Sequence, residues 1–207
     1  MNKLRVFLTL LIVVPGGFYS YSWNYKTSTA AGNKQIVFSV KISDLGLQNN
    51  SLARGKQPTE WIEVRLPGQL YDPAKRFGPV TRKAANWTTP IDAAIADFSA
   101  FKADDANWIL DDFVTQEKDA VRSLPNDKAA REKNSALFKE RAERYVTGEA
   151  SYKDYVFVFV RDTRQEHSSP LTFAQTGAAY KRTNALSGDE TFDVVFSALR
   201  NGKSFVH

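Results

Sequence analysis

Cysteine is absent from the 207 residues, and histidine occurs only at His167 and His207. Without thiols the chain can form no disulfide, no zinc-thiolate site and no cysteine nucleophile. Two histidines so far apart do not make a transition-metal site either. Glycine-rich phosphate cradles and dinucleotide fingerprints are missing as well, so no cofactor is expected. A Ser-His-acid set can be drawn from Glu166, His167, Ser168 and Ser169, but no nucleophile elbow accompanies it. Internal repeats and low-complexity tracts are also lacking.

Long apolar runs are scarce too. The clearest is Val6-Phe7-Leu8-Thr9-Leu10-Leu11-Ile12-Val13-Val14, preceded by Lys3 and Arg5 and ended by Pro15-Gly16-Gly17. A basic head, a short apolar run and a breaker are the layout of a secretory signal, with Ser20 and Ser22 marking a cut before Trp23. The alternative is an uncleaved anchor, which would have to run through Pro15 and Tyr19 to approach the roughly 20 residues of a membrane span. The expectation is export to the periplasm or the medium, with membrane contact only if this segment stays attached.

What the chain does contain is core material. It is 43% hydrophobic and 25% charged, with 14 Phe, 8 Tyr and 4 Trp, which excludes general disorder and favours sheet surfaces. The net charge of +5 is uneven: residues 33–85 hold nine Lys/Arg and four Asp/Glu, while residues 86–207 are net acidic. A basic front half can meet anionic partners, or can simply be a solvated surface of mixed charge.

The pattern predicts residues 1–22 as a signal or anchor, 23–35 as a linker, 36–85 as a basic β-rich segment and 86–207 as an α+β domain. Residues 36–42 and 60–66 alternate like strands. Residues 67–88, with Pro67, Gly68, Pro73, Gly78 and Pro79, read as connecting chain. Thr89-Pro90-Ile91-Asp92 opens a helix carrying Ile91, Ala94, Ile95, Phe98 and Phe101 on one stripe. A shorter helix is expected over 106–114, and a third over 127–146 closed by Gly148. Residues 152–160 read as one strand covered on both faces. A hairpin through Gly177 and a final helix over 189–200 follow, the latter burying Phe192, Val195, Phe196 and Leu199. The order predicts α+β, with helices packed on one face of an antiparallel sheet.

The stretches TTPIDAAIADFSAFKADDANWILDDF, DYVFVFVR and LTFAQTGAAYKRTNAL together resemble the nuclear transport factor 2-like fold. The resemblance covers about residues 86–200. It implies a curved antiparallel sheet and helices enclosing a cone, used in that fold for hydrolysis, isomerisation, ligand binding or nothing chemical. Strand alternation puts Tyr155 and Arg161 on one face with Phe157 and Phe159. On the last strand Tyr180, Arg182 and Asn184 share a face, opposite Ala179, Lys181 and Thr183. Asp104 and Asp105 lie at the acidic helix junction that the resemblance implies, and adjacent turn acids of this kind cap helices more often than they catalyse.

These residues form no compact acid–base–nucleophile set. The expectation is an exported, non-catalytic envelope or secreted protein that binds an unknown protein or small ligand, and no nucleic acid. One alternative is an exported small-molecule hydrolase or isomerase using polar residues inside the cone. Another is a membrane-anchored accessory subunit of an envelope complex.

Overall fold

The computed structural model describes residues 34–47, 49–122, 143–163, 165–201 and 204–206. The expected signal, the expected linker up to residue 33 and most of the helix expected over 127–146 lie outside the described residues, and Gln35, expected to end the linker, begins β1.

The organising element is a seven-stranded sheet in the order β6-β5-β4-β3-β2-β1-β7, antiparallel at every pairing. The strands are β1 (Gln35–Lys41), β2 (Trp61–Phe77), β3 (Arg144–Tyr152), β4 (Tyr155–Asp162), β5 (Ser169–Thr176), β6 (Ala179–Arg182) and β7 (Ser204–Val206). Helices α1 (Pro90–Ala103), α2 (Ala106–Asp112) and the single turn α3 (Lys118–Val121) follow β2, and α4 (Glu190–Arg200) follows β6. The class is α+β, as the sequence predicts.

Alternation explains the layering. In β4, Phe157 and Phe159 join Phe38, Val40, Ile62 and Leu66 in a core that α4 covers with Val194, Val195, Ala198 and Leu199. Val158 and Val160 point the other way, into a core with Val146, Phe173, Tyr180 and the α1 alanines Ala93 and Ala94. Both faces of β4 are therefore covered, as expected. The expectation of helices on one face only is corrected: a strand apolar on both sides leaves an exposed sheet unless helices flank it twice.

Residues 36–85 contribute β1 and β2 to this same sheet, within the compact unit Asn33–His207. The first half of β2 pairs with β1 and its second half with β3. Reading 67–77 as connecting chain is thus corrected. Pro67 and Gly68 sit where β2 changes partner, and the cis Asp72–Pro73 bond falls in a register shift between Leu70 and Lys75. Proline and glycine in strands mark such places. At Gly68 a Cβ would lie 2.3 Å from the Glu149 carbonyl oxygen, so the two backbones meet only because the residue is glycine.

Tyr145, Val146 and Gly148 belong to β3 rather than to the end of a helix. Their pairing with β2 and β4 overrides local helical composition. The single strand expected over 152–160 is instead the end of β3, a turn at Lys153-Asp154 and the start of β4. The hairpin at Gly177 stands as expected, with Gly177 at φ 61° and Thr176 opposite Ala179.

Helix boundaries follow their caps. Thr89 accepts from the Asp92 amide at 3.1 Å and donates to the Asp92 carboxylate at 2.8 Å, with Pro90 in the first turn. Asp189 accepts from the amides of Thr191 and Phe192 to start α4. The buried face of α4 is Val194, Val195, Ala198 and Leu199, whereas Phe196, expected inside, is 37% exposed. The β1–β2 loop is strapped to this helix: Asp193 accepts from the amides of Gly46 and Leu47 and from the Asn50 side chain.

Candidate functional site

The two faces divide the residues singled out in the sequence. Tyr155 packs on the α4 side, and Arg161 stacks over the Tyr145 ring at 5.7 Å. Tyr180 and Arg182 lie on the α1 side. Asn184, just beyond β6, is exposed, and its amide donates to Glu117 at 2.8 Å. Asp104 is the left-handed C-cap of α1. Asp105 is the N-cap of α2, accepting from the Trp108 amide, and it pairs with Arg82 at 3.2 Å. The acidic junction is therefore a helix corner, and of the seven residues only Tyr180 and Arg182 come together.

Arg182 leads to a cluster that sequence reading missed. Its guanidinium Nη1 lies 3.1 Å from Asp97 Oδ2 on α1. Asp97 is 4% exposed, and the Arg182 side chain 21%. The register that puts Arg182 opposite Phe173 aims it at α1. The outer edge of β6 is covered by the chain flanking the helices: Tyr180 donates its amide to the Trp87 carbonyl at 2.7 Å, and the Val114 amide donates to the Arg182 carbonyl at 3.0 Å. These two bonds bring Trp87 and the end of α2 against the strand. There the Trp87 indole donates to Asp112 Oδ1 at 2.7 Å.

Trp108 and Asp112 are four residues apart and share one face of α2, each 2% exposed. Trp108 packs with Ala100 of α1 and with Phe113 and Val121. Lys181 points its ammonium at the Asp111 carbonyl oxygen at 2.7 Å and over the Trp87 ring at 4.6 Å. Strand alternation therefore separates Arg182, which is buried with Asp97, from Lys181, which covers the rim.

Burial pushes the Asp97 carboxyl up, against the pull of Arg182 and then of Arg144. Asp112 is pushed up to about 7, chiefly by burial and then by the negative charge of Asp97; the Trp87 hydrogen bond and Lys181 oppose this.

Four buried atoms of this cluster have no hydrogen-bond partner: Asp97 Oδ1, Asp112 Oδ2, Trp108 Nε1 and Arg182 Nε. Leaving one such group unmet costs about 1–3 kcal/mol. Two acceptors and two donors are thus left over on these four side chains.

The sequence did carry a signal for Asp97. It stands between Ala93 and Ala100 at helical spacing, on the small-residue side that packs closest, and Asp112 likewise follows Trp108 by four. Among the described residues, no three His, Asp or Glu side chains converge to hold a metal. No described helix is long and apolar enough to cross a membrane. In comparison with known proteins, the chain matches no protein-family model, no curated protein and no solved structure.

Proposed function

We propose that this is an exported protein of the cell envelope or its surroundings that binds a small polar ligand, without chemistry, between α1, α2 and β6. The observation that carries this reading is the set of four unmet buried polar atoms on Asp97, Trp108, Asp112 and Arg182. Buried donors and acceptors left without a protein partner are costly, and a polar occupant is what would meet them. Export rests on the Lys3–Pro15 layout. The succession of α1, α2 and a four-stranded meander supports the likeness to the nuclear transport factor 2-like fold over residues 86–200.

The test is a thermal-shift screen of a panel of small polar molecules against the wild type and Arg182→Met. Ligands that raise the melting temperature of the first and not of the second support the reading; a panel that moves neither defeats it. Sequencing the mature N-terminus tests export: Trp23 as first residue supports it, and intact Met1 in membranes favours the anchored alternative.

One observation favours a second reading. A buried carboxyl at about 7 beside an ion pair is poised for general acid–base work, as a small-molecule hydrolase or isomerase would use it. Turnover separates the two: an enzyme converts a ligand found by the panel and loses that conversion in Asp112→Asn, whereas a binding protein returns the ligand unchanged.

A further inference from the structure

The two contacts that cover the outer edge of β6 are tied to one carboxyl. Asp112 is the last residue of α2 and is 2% exposed. One residue on, Phe113 forms a bridge with Arg182, and the Val114 amide donates to the Arg182 carbonyl at 3.0 Å. On the other side, Trp87 accepts from the Tyr180 amide and donates its indole N–H to Asp112 Oδ1, both at 2.7 Å. Exposing Asp112 by moving either segment therefore breaks a bond to the strand edge. The charged groups around this carboxyl come from each neighbour. Asp97 of α1 repels it and is itself held by Arg182 and, more weakly, by Arg144. Lys181 of β6 attracts it while donating to the Asp111 carbonyl, and Asp111 repels it while pairing with Arg82 and Lys118. Glu117, beyond α2, is engaged by Thr183 and the Asn184 amide.

We propose that Asp112 is a proton-controlled latch on the outer edge of β6: protonated, it keeps the Trp87 segment and the end of α2 on the strand, and ionised, it favours their release, which bares the Tyr180 amide and the Arg182 carbonyl. Burial beside a second carboxyl favours the protonated form, and water favours the ionised one. The Trp87 indole also favours the ionised form, but burial outweighs it. In the covered state the carboxyl titrates at about 7, against an ordinary 3.8 once it is wet. Release therefore becomes easier as pH rises between these values, approaching about tenfold per pH unit, and levels off above the upper one. Acid seals the edge, and neutral pH loosens it.

Hydrogen exchange read by NMR at pH 5 and pH 7, with each rate divided by its intrinsic value, tests the latch. The Tyr180 and Val114 amides, which lose their acceptors on release, should exchange faster at pH 7 by up to about a hundredfold. The Thr183 amide, which donates to the Thr172 carbonyl of β5 at 3.0 Å, keeps its protection. In Asp112→Asn, which cannot ionise, the Tyr180 and Val114 rates should be the same at both pH values. Should that variant lose its dispersed spectrum, Trp87→Phe replaces it: the carbonyl cap stays, the indole link goes, and the Tyr180 amide should lose its response to pH. Low urea should leave the Tyr180 and Val114 rates unchanged while the amides of β4 accelerate, as local release requires. The proposal is overturned if the two amides do not respond to pH in the wild type, or if they follow the β4 amides in urea. It is equally overturned if Asp112→Asn, or Trp87→Phe in its place, responds as the wild type does, which would move the titration to another group such as Asp97.

Discussion

Arg182 on the last strand of the meander reaches back 85 residues to Asp97 in the first helix, closing a buried ion pair at 3.1 Å. Removing one partner strands the other. Arg182→Met is expected to cost about 3–5 kcal/mol in urea unfolding, while Asp97→Leu combined with Arg182→Leu recovers most of that loss. Lys181→Ala, which removes only a rim contact, is expected to cost about 1 kcal/mol.

Asp112 makes stability depend on pH with a definite sign. Its folded carboxyl titrates at about 7, well above the ordinary 3.8. Between those values the folded state holds a proton that the unfolded state has released, so this stabilising contribution is full below the unfolded value and is lost as pH rises through the folded one. The charged groups that bear on it are Asp97, Lys181 and Asp111. The slope approaches about 1.4 kcal/mol per pH unit between roughly pH 4 and 7. Denaturant melts at pH 5 and pH 8 should show the wild type gaining more from acid than Asp112→Asn does; equal responses would exclude Asp112 as the source.

The close approach of β2 and β3 predicts a sharp contrast between glycines. Gly68→Ala drives a methyl into the Glu149 backbone, 2.3 Å away, whereas Gly78 has nothing within 4 Å of its Cβ direction. Unfolding should show Gly68→Ala destabilised by at least about 3 kcal/mol, at the upper end of overpacking costs. Gly78→Ala should stay within about 0.5 kcal/mol of the wild type.

Asp193→Ala tests the strap between the β1–β2 loop and α4. Its carboxylate accepts from Gly46 N at 3.1 Å and Leu47 N at 3.2 Å. The amides of Gly46 and Leu47 should exchange hydrogen far faster in the variant, while those of β4 keep their protection at mild denaturant concentrations.

Local chemistry made parts of the fold legible. Thr89-Pro90-Ile91-Asp92 marks the start of α1 because a hydroxyl cap and a proline act within four residues. The alternation in 60–66 gives the faces of β2 because one side of that stretch touches the core and the other meets water. Legibility failed where distant chain decides. Pro67 and Pro73 look like loop until β1 and β3 share β2 between them. Residues 144–146 read as helix until two neighbouring strands claim them. Of the candidate site, Arg182 and the face it shares with Tyr180 follow from period-two counting. Its partner Asp97 is marked only by its spacing from Ala93 and Ala100: a carboxylate is assigned to the wet side of a helix by default, and only the guanidinium arriving from β6 makes its burial tolerable.

The covering of β6 also limits how the protein assembles. An outermost strand ordinarily offers its amides and carbonyls to any passing chain. Here the Tyr180 amide and the Arg182 carbonyl are engaged by Trp87 and Val114, so a second molecule has no ladder to extend on that side. The segments that close this border also hold the Trp87 and Asp112 side chains, so a substitution that loosens the cluster should first be noticed as strand-mediated clumping.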